Sequence, residues 1–171
     1  MNMKYLLNLL IAGLFLLSAC TPNKEKLNKS IANHESTVVN DQLGLVDSIA
    51  NKLVQEYMEY ADLYTEDSKS PAYLYKAADL SNGLGMPLNA IKLYERVYSD
   101  FPEYEKAPLC LFISGFIYEN QVRNIGKAKE KYDLFLEKFP NHQLKHDVEV
   151  TLKNLGKTPE EIIQEFENQS F

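Results

Sequence analysis

The sequence predicts an all-α protein: antiparallel helical hairpins stacked as a short right-handed superhelix. The first observation is a doubled stretch, residues 71–102 and 108–140. Ser70-Pro71-Ala72-Tyr73-Leu74-Tyr75 is echoed 37 residues on by Ala107-Pro108-Leu109-Cys110-Leu111-Phe112, and Phe101-Pro102 is echoed 38 residues on by Phe139-Pro140. Self-similarity near this period, with three- and four-residue apolar spacing inside each unit, is the signature of stacked helix pairs. The second observation is the punctuation. Proline opens the helices at Pro71, Pro87, Pro108 and Pro159, and glycine closes them at Gly83, Gly85 and Gly156.

Taken in order, the chain begins with an address. Lys4 precedes an apolar run, Tyr5 to Leu17, too short for a comfortable membrane span. The run ends in Leu17-Ser18-Ala19-Cys20. This resembles the box of bacterial lipoproteins, in which small residues precede a cysteine. The resemblance implies that residues 1–19 are a signal peptide removed after Ala19, and that the Cys20 thiol carries a diacylglyceryl group. The competing reading is an ordinary secretory signal with a chance cysteine. Thr21, rather than an aspartate, follows Cys20, which by the same resemblance implies outer-membrane residence facing the periplasm.

Residues 20–41 are polar and read as a lipidated flexible tether that would hold the fold about 25 Å from its anchor. The helical domain is expected over 42–171. A long amphipathic helix over Gln42 to Tyr64 carries Leu45, Val46, Ile49, Leu53, Tyr57, Tyr60, Ala61 and Tyr64 at helical spacing. Leu53, Ala90 and Ala128 share one repeat position, and Tyr57, Tyr94 and Tyr132 another. Part of this helix is thus the second helix of a degenerate first repeat. Ser70 is expected to cap the next helix, which runs to about Asn82, and Pro87 opens a partner that runs to about Asp100. The following unit has helices to about Gln121 and from Ile125 to Phe139. A shorter unit closes the chain, with a helix from about His142 to Leu155 and another begun by Thr158-Pro159-Glu160-Glu161, a capping box.

After removal of residues 1–19, 17 basic and 24 acidic residues leave a net charge of −7. An acidic balance with no basic cluster argues against nucleic acid and against adhesion to anionic lipid. With Cys20 committed to lipid, Cys110 is a lone thiol on an apolar helix face, a small core residue rather than a nucleophile. His142 and His146, four apart, make two ligands and no metal site. There is no Gly-rich phosphate loop, no Gly-x-Ser-x-Gly and no His-Glu-x-x-His, so neither a catalytic residue nor a cofactor is expected.

The two central units resemble the tetratricopeptide repeat (TPR). Leu74 and Leu111 fall at its early apolar position, Ala78 and Gly115 at its small crossing position, and Ala90 and Ala128 at the small residue of its second helix. Tyr94 and Tyr132 follow as the aromatic, and Pro102 and Pro140 as the closing proline. The helix-A tryptophan is absent, and Ser81 stands where Tyr118 of the second unit is aromatic. The junction from Phe101 to Ala107 resembles those of outer-membrane assembly and envelope-coordination lipoproteins. The repeat register implies a concave face lined by Tyr75, Asp79 and Asn82 and then by Phe112, Phe116, Glu119 and Asn120. Each aromatic there is weighed as groove against core. The lysines and arginines of a carboxylate-capturing TPR are missing from this face.

The resulting expectation is a non-enzymatic scaffold or adaptor, held to the membrane through an N-terminal lipid and binding an envelope protein or peptide. The alternative is a ligand- or glycan-binding envelope lipoprotein using tyrosines as stacking platforms.

Overall fold

The computed structural model describes residues 23–40 and 46–168. The signal segment, Cys20 and Thr21 lie outside the described residues, as do Gln42 and Leu45. The described residues form helices α1 (Lys24–Asn40), α2 (Val46–Leu63), α3 (Ser70–Gly83), α4 (Pro87–Asp100), α5 (Ala107–Asn120), α6 (Ile125–Lys138), α7 (Lys145–Asn154) and α8 (Pro159–Asn168), with no strand among them. From α1 to α7 each helix packs on the next, the nearest-neighbour pattern of a repeat stack.

The first helix corrects the tether. Residues 24–40, expected to be flexible, form an α-helix packed on α2. Leu27, Ile31 and Val38 lie at i, i+4 and i+11, one narrow apolar stripe in an otherwise polar segment. Leu27 and Ile31 are buried, and Val38 packs against the same core. Polar contacts fix the register. Glu56 of α2 accepts a hydrogen bond from Ser30 Oγ at 2.7 Å and meets His34 Nδ1 at 2.7 Å, and Tyr57 Oη donates to Glu35 Oε1 at 2.6 Å. The first repeat is therefore a whole hairpin, α1 with α2, and not a lone capping helix.

Cross-links between alternate helices define two layers. In the odd layer, Asn28 of α1 meets Tyr73 of α3, and Glu35 meets Lys76 at 2.6 Å, so the two helices run parallel. Gln121, just past α5, donates to Asn82 of α3 at 2.9 Å. In the even layer, Asp62 of α2 pairs with Arg96 of α4, and Glu95 of α4 with Lys131 of α6, both at 2.6 Å. The core lies between the layers. One apolar cluster spans α1 to α5, and a second joins α5, α6 and α7 around Leu111, Tyr132, Phe135 and Val148.

The tyrosines of the repeat position fill this core with one rule. Tyr57, Tyr94 and Tyr132 are all buried. Each hydroxyl donates to a carboxylate on the preceding odd helix: Tyr57 to Glu35, Tyr94 to Asp79 and Tyr132 to Glu119. The partner is an acid in all three pairs. A buried phenol needs an acceptor, and a carboxylate at the layer edge supplies one while keeping its second oxygen available.

The ends of the helices show which local signals hold. Thr158 and Glu161 form the expected reciprocal box, with Thr158 N–H donating to Glu161 Oε2 (2.8 Å) and Glu161 N–H to Thr158 Oγ1 (3.2 Å). Gly85, at φ 72°, lets α3 end with its N–H on Asn82 O and the next N–H on Ser81 O. Ser70 departs from expectation. It is the first helical residue, fully buried, and its hydroxyl donates to Tyr64 O at 2.5 Å, so it ties α3 to the end of α2 instead of capping. His142 also differs. It precedes α7, accepts from Leu144 N–H through Nδ1 at 3.1 Å, and sets its ring against Phe135 and Phe139, so it does not share a helix with His146. On α8, Ile162 is half-buried while Ile163 is 59% exposed.

Candidate functional site

The odd layer opens into a cleft of about 550 Å3 between α1 and α3. One wall is Glu35 and Val38 of α1, the other is Lys76, Asp79 and Leu80 of α3, and the floor is Leu53 and Tyr57 of α2. Helical geometry places these groups. Lys76, Asp79 and Leu80 lie three and four residues apart and so share one face of α3, as do Glu35 and Val38 on α1. The volume is that of a small-molecule or side-chain pocket, with an apolar base and a few charged groups at the rim.

The rim is held by a charged network. Glu35 accepts from both Lys76 Nζ and Tyr57 Oη at 2.6 Å. Burial pushes the Glu35 carboxyl upward, but the Lys76 ammonium and the Tyr57 hydroxyl outweigh it and hold the group below the usual glutamate range. Burial and the adjoining carboxylates push the Tyr57 and Tyr94 phenols far above their ordinary value, so both remain neutral donors. Lys76 also lies 5.8 Å from the Tyr57 ring centre and 5.7 Å from that of Tyr73, covering both ring faces. The charge at the rim is one ammonium against two carboxylates, an acidic mouth over an apolar base.

The expected site residues divide between this cleft and elsewhere. Asp79 lines it and is exposed. Tyr75 is half-buried, edge-on to Tyr94, with Lys106 Nζ 4.6 Å from its ring centre. Asn82 is tied to Gln121. Phe112 packs against Tyr132 and Phe135 in the second apolar cluster. Phe116 alone among the expected aromatics stands out, 49% exposed. Glu119 accepts from Tyr132 Oη at 2.8 Å, and exposed Asn120 donates from its side chain to Phe116 O at 3.0 Å. Tyr75 belongs to the first apolar cluster and Phe112 to the second, so they do not form one aromatic platform.

Glu35, Val38, Leu53, Tyr57, Lys76 and Leu80 were not among the expected site residues. The polar composition of residues 20–41 hides the wall from α1, although the spacing of Leu27, Ile31 and Val38 carries the signal. Cys110 is fully buried, and burial pushes its thiol up to about 12, which removes the thiolate a nucleophile needs. Among the described residues no group of three or more His, Cys, Asp or Glu is placed to hold a metal. No helix among them is long and apolar enough to cross a membrane.

Fold and cleft together define an all-helical, repeat-like stack with an open groove between its first two odd helices. No protein family, no curated protein and no solved structure matches this chain.

Proposed function

We propose that the chain is a membrane-anchored protein–protein interaction scaffold or adaptor of a bacterial envelope complex, in the style of TPR lipoproteins. The lipid on Cys20 holds it to the membrane, and the cleft between α1 and α3 receives a segment of the partner. The observation that carries this reading is the cleft itself, where apolar Val38 and Leu80 stay half-exposed between two parallel helices, over buried Leu53 and beneath an acidic rim. Such a groove suits a peptide that inserts an aliphatic side chain and presents a basic one to Asp79. The stack has no chemistry of its own.

The tyrosines favour this reading over glycan stacking. Lysines already cover ring faces of Tyr57, Tyr73 and Tyr75. The test is in-cell photocrosslinking with a photoreactive residue at Leu80 in the cleft or at Leu88, 63% exposed at the start of α4. A discrete protein adduct from position 80, absent from position 88 and lost on Asp79→Lys, is the expected result. An adduct that forms equally at both positions, or survives Asp79→Lys, would reject the cleft.

A further inference from the structure

The correction to the tether changes where the molecule sits. Three peptide steps separate Cys20 from Asn23, whose side chain already accepts from Glu25 N–H at 2.9 Å at the start of α1. Three residues fully extended span about 10 Å. If Cys20 is acylated, the first turn of α1 is held against the headgroups and not at arm's length.

The charge distribution agrees. Residues 23–33 carry three lysines and one glutamate, a net +2, while the rest of the chain after residue 19 has 14 basic and 23 acidic residues, a net −9. The locally basic stretch is thus the one nearest the anchor. Leu27 and Ile31 face the core, which leaves Lys26, Lys29, Ala32 and Asn33 exposed on the outer side of α1. Lys24, Lys29 and Lys69 of α3's approach surround a shallow depression of about 570 Å3, with Asn23, Asn28 and a single acid, Glu25, paired to Lys29 at 2.7 Å. Lys26 makes no ion pair among the described residues. The adjoining turns are acidic, with Glu66, Asp67, Asp100 and Glu103 lining the next depression, and Asp67 reaches across to pair with Lys24.

We infer that the outer face of α1, with Lys69, is a bilayer-contact surface for anionic lipid headgroups, so that α1 lies on the membrane and the stack rises away from it. The inference rests on the lipid-anchor reading above. Helix layers spaced by 8–10 Å then put the α1–α3 cleft roughly 10 Å above the headgroups and α5 roughly 20 Å above them. A partner segment reaching the cleft must itself be membrane-proximal.

The test uses the full-length acylated protein in vesicles of phosphatidylglycerol and phosphatidylethanolamine that include a nickel-chelating lipid. A nitroxide is attached at Asn33→Cys or at Glu103→Cys, buried Cys110 remaining unlabelled. Relaxation by the surface nickel several times stronger at 33 than at 103 is expected, and this ratio should collapse toward unity in Lys26→Glu/Lys29→Glu while the protein still floats with the vesicles. Equal relaxation at the two sites, or a ratio untouched by the charge reversal, overturns the contact surface. Failure of the protein to float, or flotation unchanged by Cys20→Ala, overturns the anchor reading instead.

Discussion

At Gly115 of α5, packed on Tyr132 of α6, a single hydrogen decides the fit. A Cβ at this position would lie 2.6 Å from Tyr132 Cε1 and 2.9 Å from Cδ1. Tyr132 is fully buried and pinned by its bond to Glu119, so its ring has no room to yield. Replacing glycine by alanine inside a helix gains up to about 1 kcal/mol in propensity, whereas overpacking a closed core costs about 1–3 kcal/mol. Gly115→Ala is therefore expected to destabilise the fold by about 1–2 kcal/mol in urea unfolding. The three tyrosine–carboxylate pairs give a second residue-scale test. Burial and the facing acids raise the phenol pKa of Tyr57, Tyr94 and Tyr132 above the ordinary value. Stability from these groups is present below pH about 10, where an unfolded tyrosine stays neutral, and is lost as pH rises beyond that point. Absorbance at an ionised-phenol wavelength should show three tyrosines that titrate only as circular dichroism reports unfolding. Gradual titration of all tyrosines with the helices intact would contradict the pairing.

At the scale of elements, α1 separates what the sequence displayed from what it concealed. The helices from α3 to α6 were legible because each carries a proline or asparagine start and a repeated partner, and α3, α4 and α6 a glycine or proline stop as well. Helix α1 has an asparagine start at Asn23 but no glycine or proline stop and no repeated partner, a mean composition close to that of a linker, and only Leu27, Ile31 and Val38 to mark its inner side. Its stability is tertiary, supplied by α2. The concave residues were legible as a face, but the choice between groove and core was not. Phe112 and Phe116 lie four residues apart on α5, and only the position of α6 makes one packed and the other exposed. Ile31→Ala is expected to cost about 3 kcal/mol, the range for emptying a closed core site, and to free α1 first; a flexible tether would feel nothing. Acid should loosen the same helix. Glu35 is held ionised by Lys76 and Tyr57, so its contribution is present above the usual glutamate range and is lost as pH falls through it. Lys76 is half exposed, so salt should weaken the effect.

At the scale of the molecule, the docked helix and the cleft form one arrangement, and the proposed anchor would join them. The acidic body, net −9 after residue 19 with residues 23–33 set apart, keeps most of the stack away from anionic surfaces, while the basic start of α1 does not share that repulsion. The cleft exists because α1 supplies its second wall, and the proposed seating on the membrane exists because α1 begins four residues after Cys20. Both depend on residues 24–40 being a docked helix. Hydrogen exchange read by mass spectrometry on the full-length protein measures this directly. The expected result is slow exchange from Leu27 to Val38, with protection comparable to the facing residues Leu53 to Tyr60 and reduced by Ile31→Ala. Exchange at the rate of an unstructured peptide over that stretch, with α2 still protected, would contradict it.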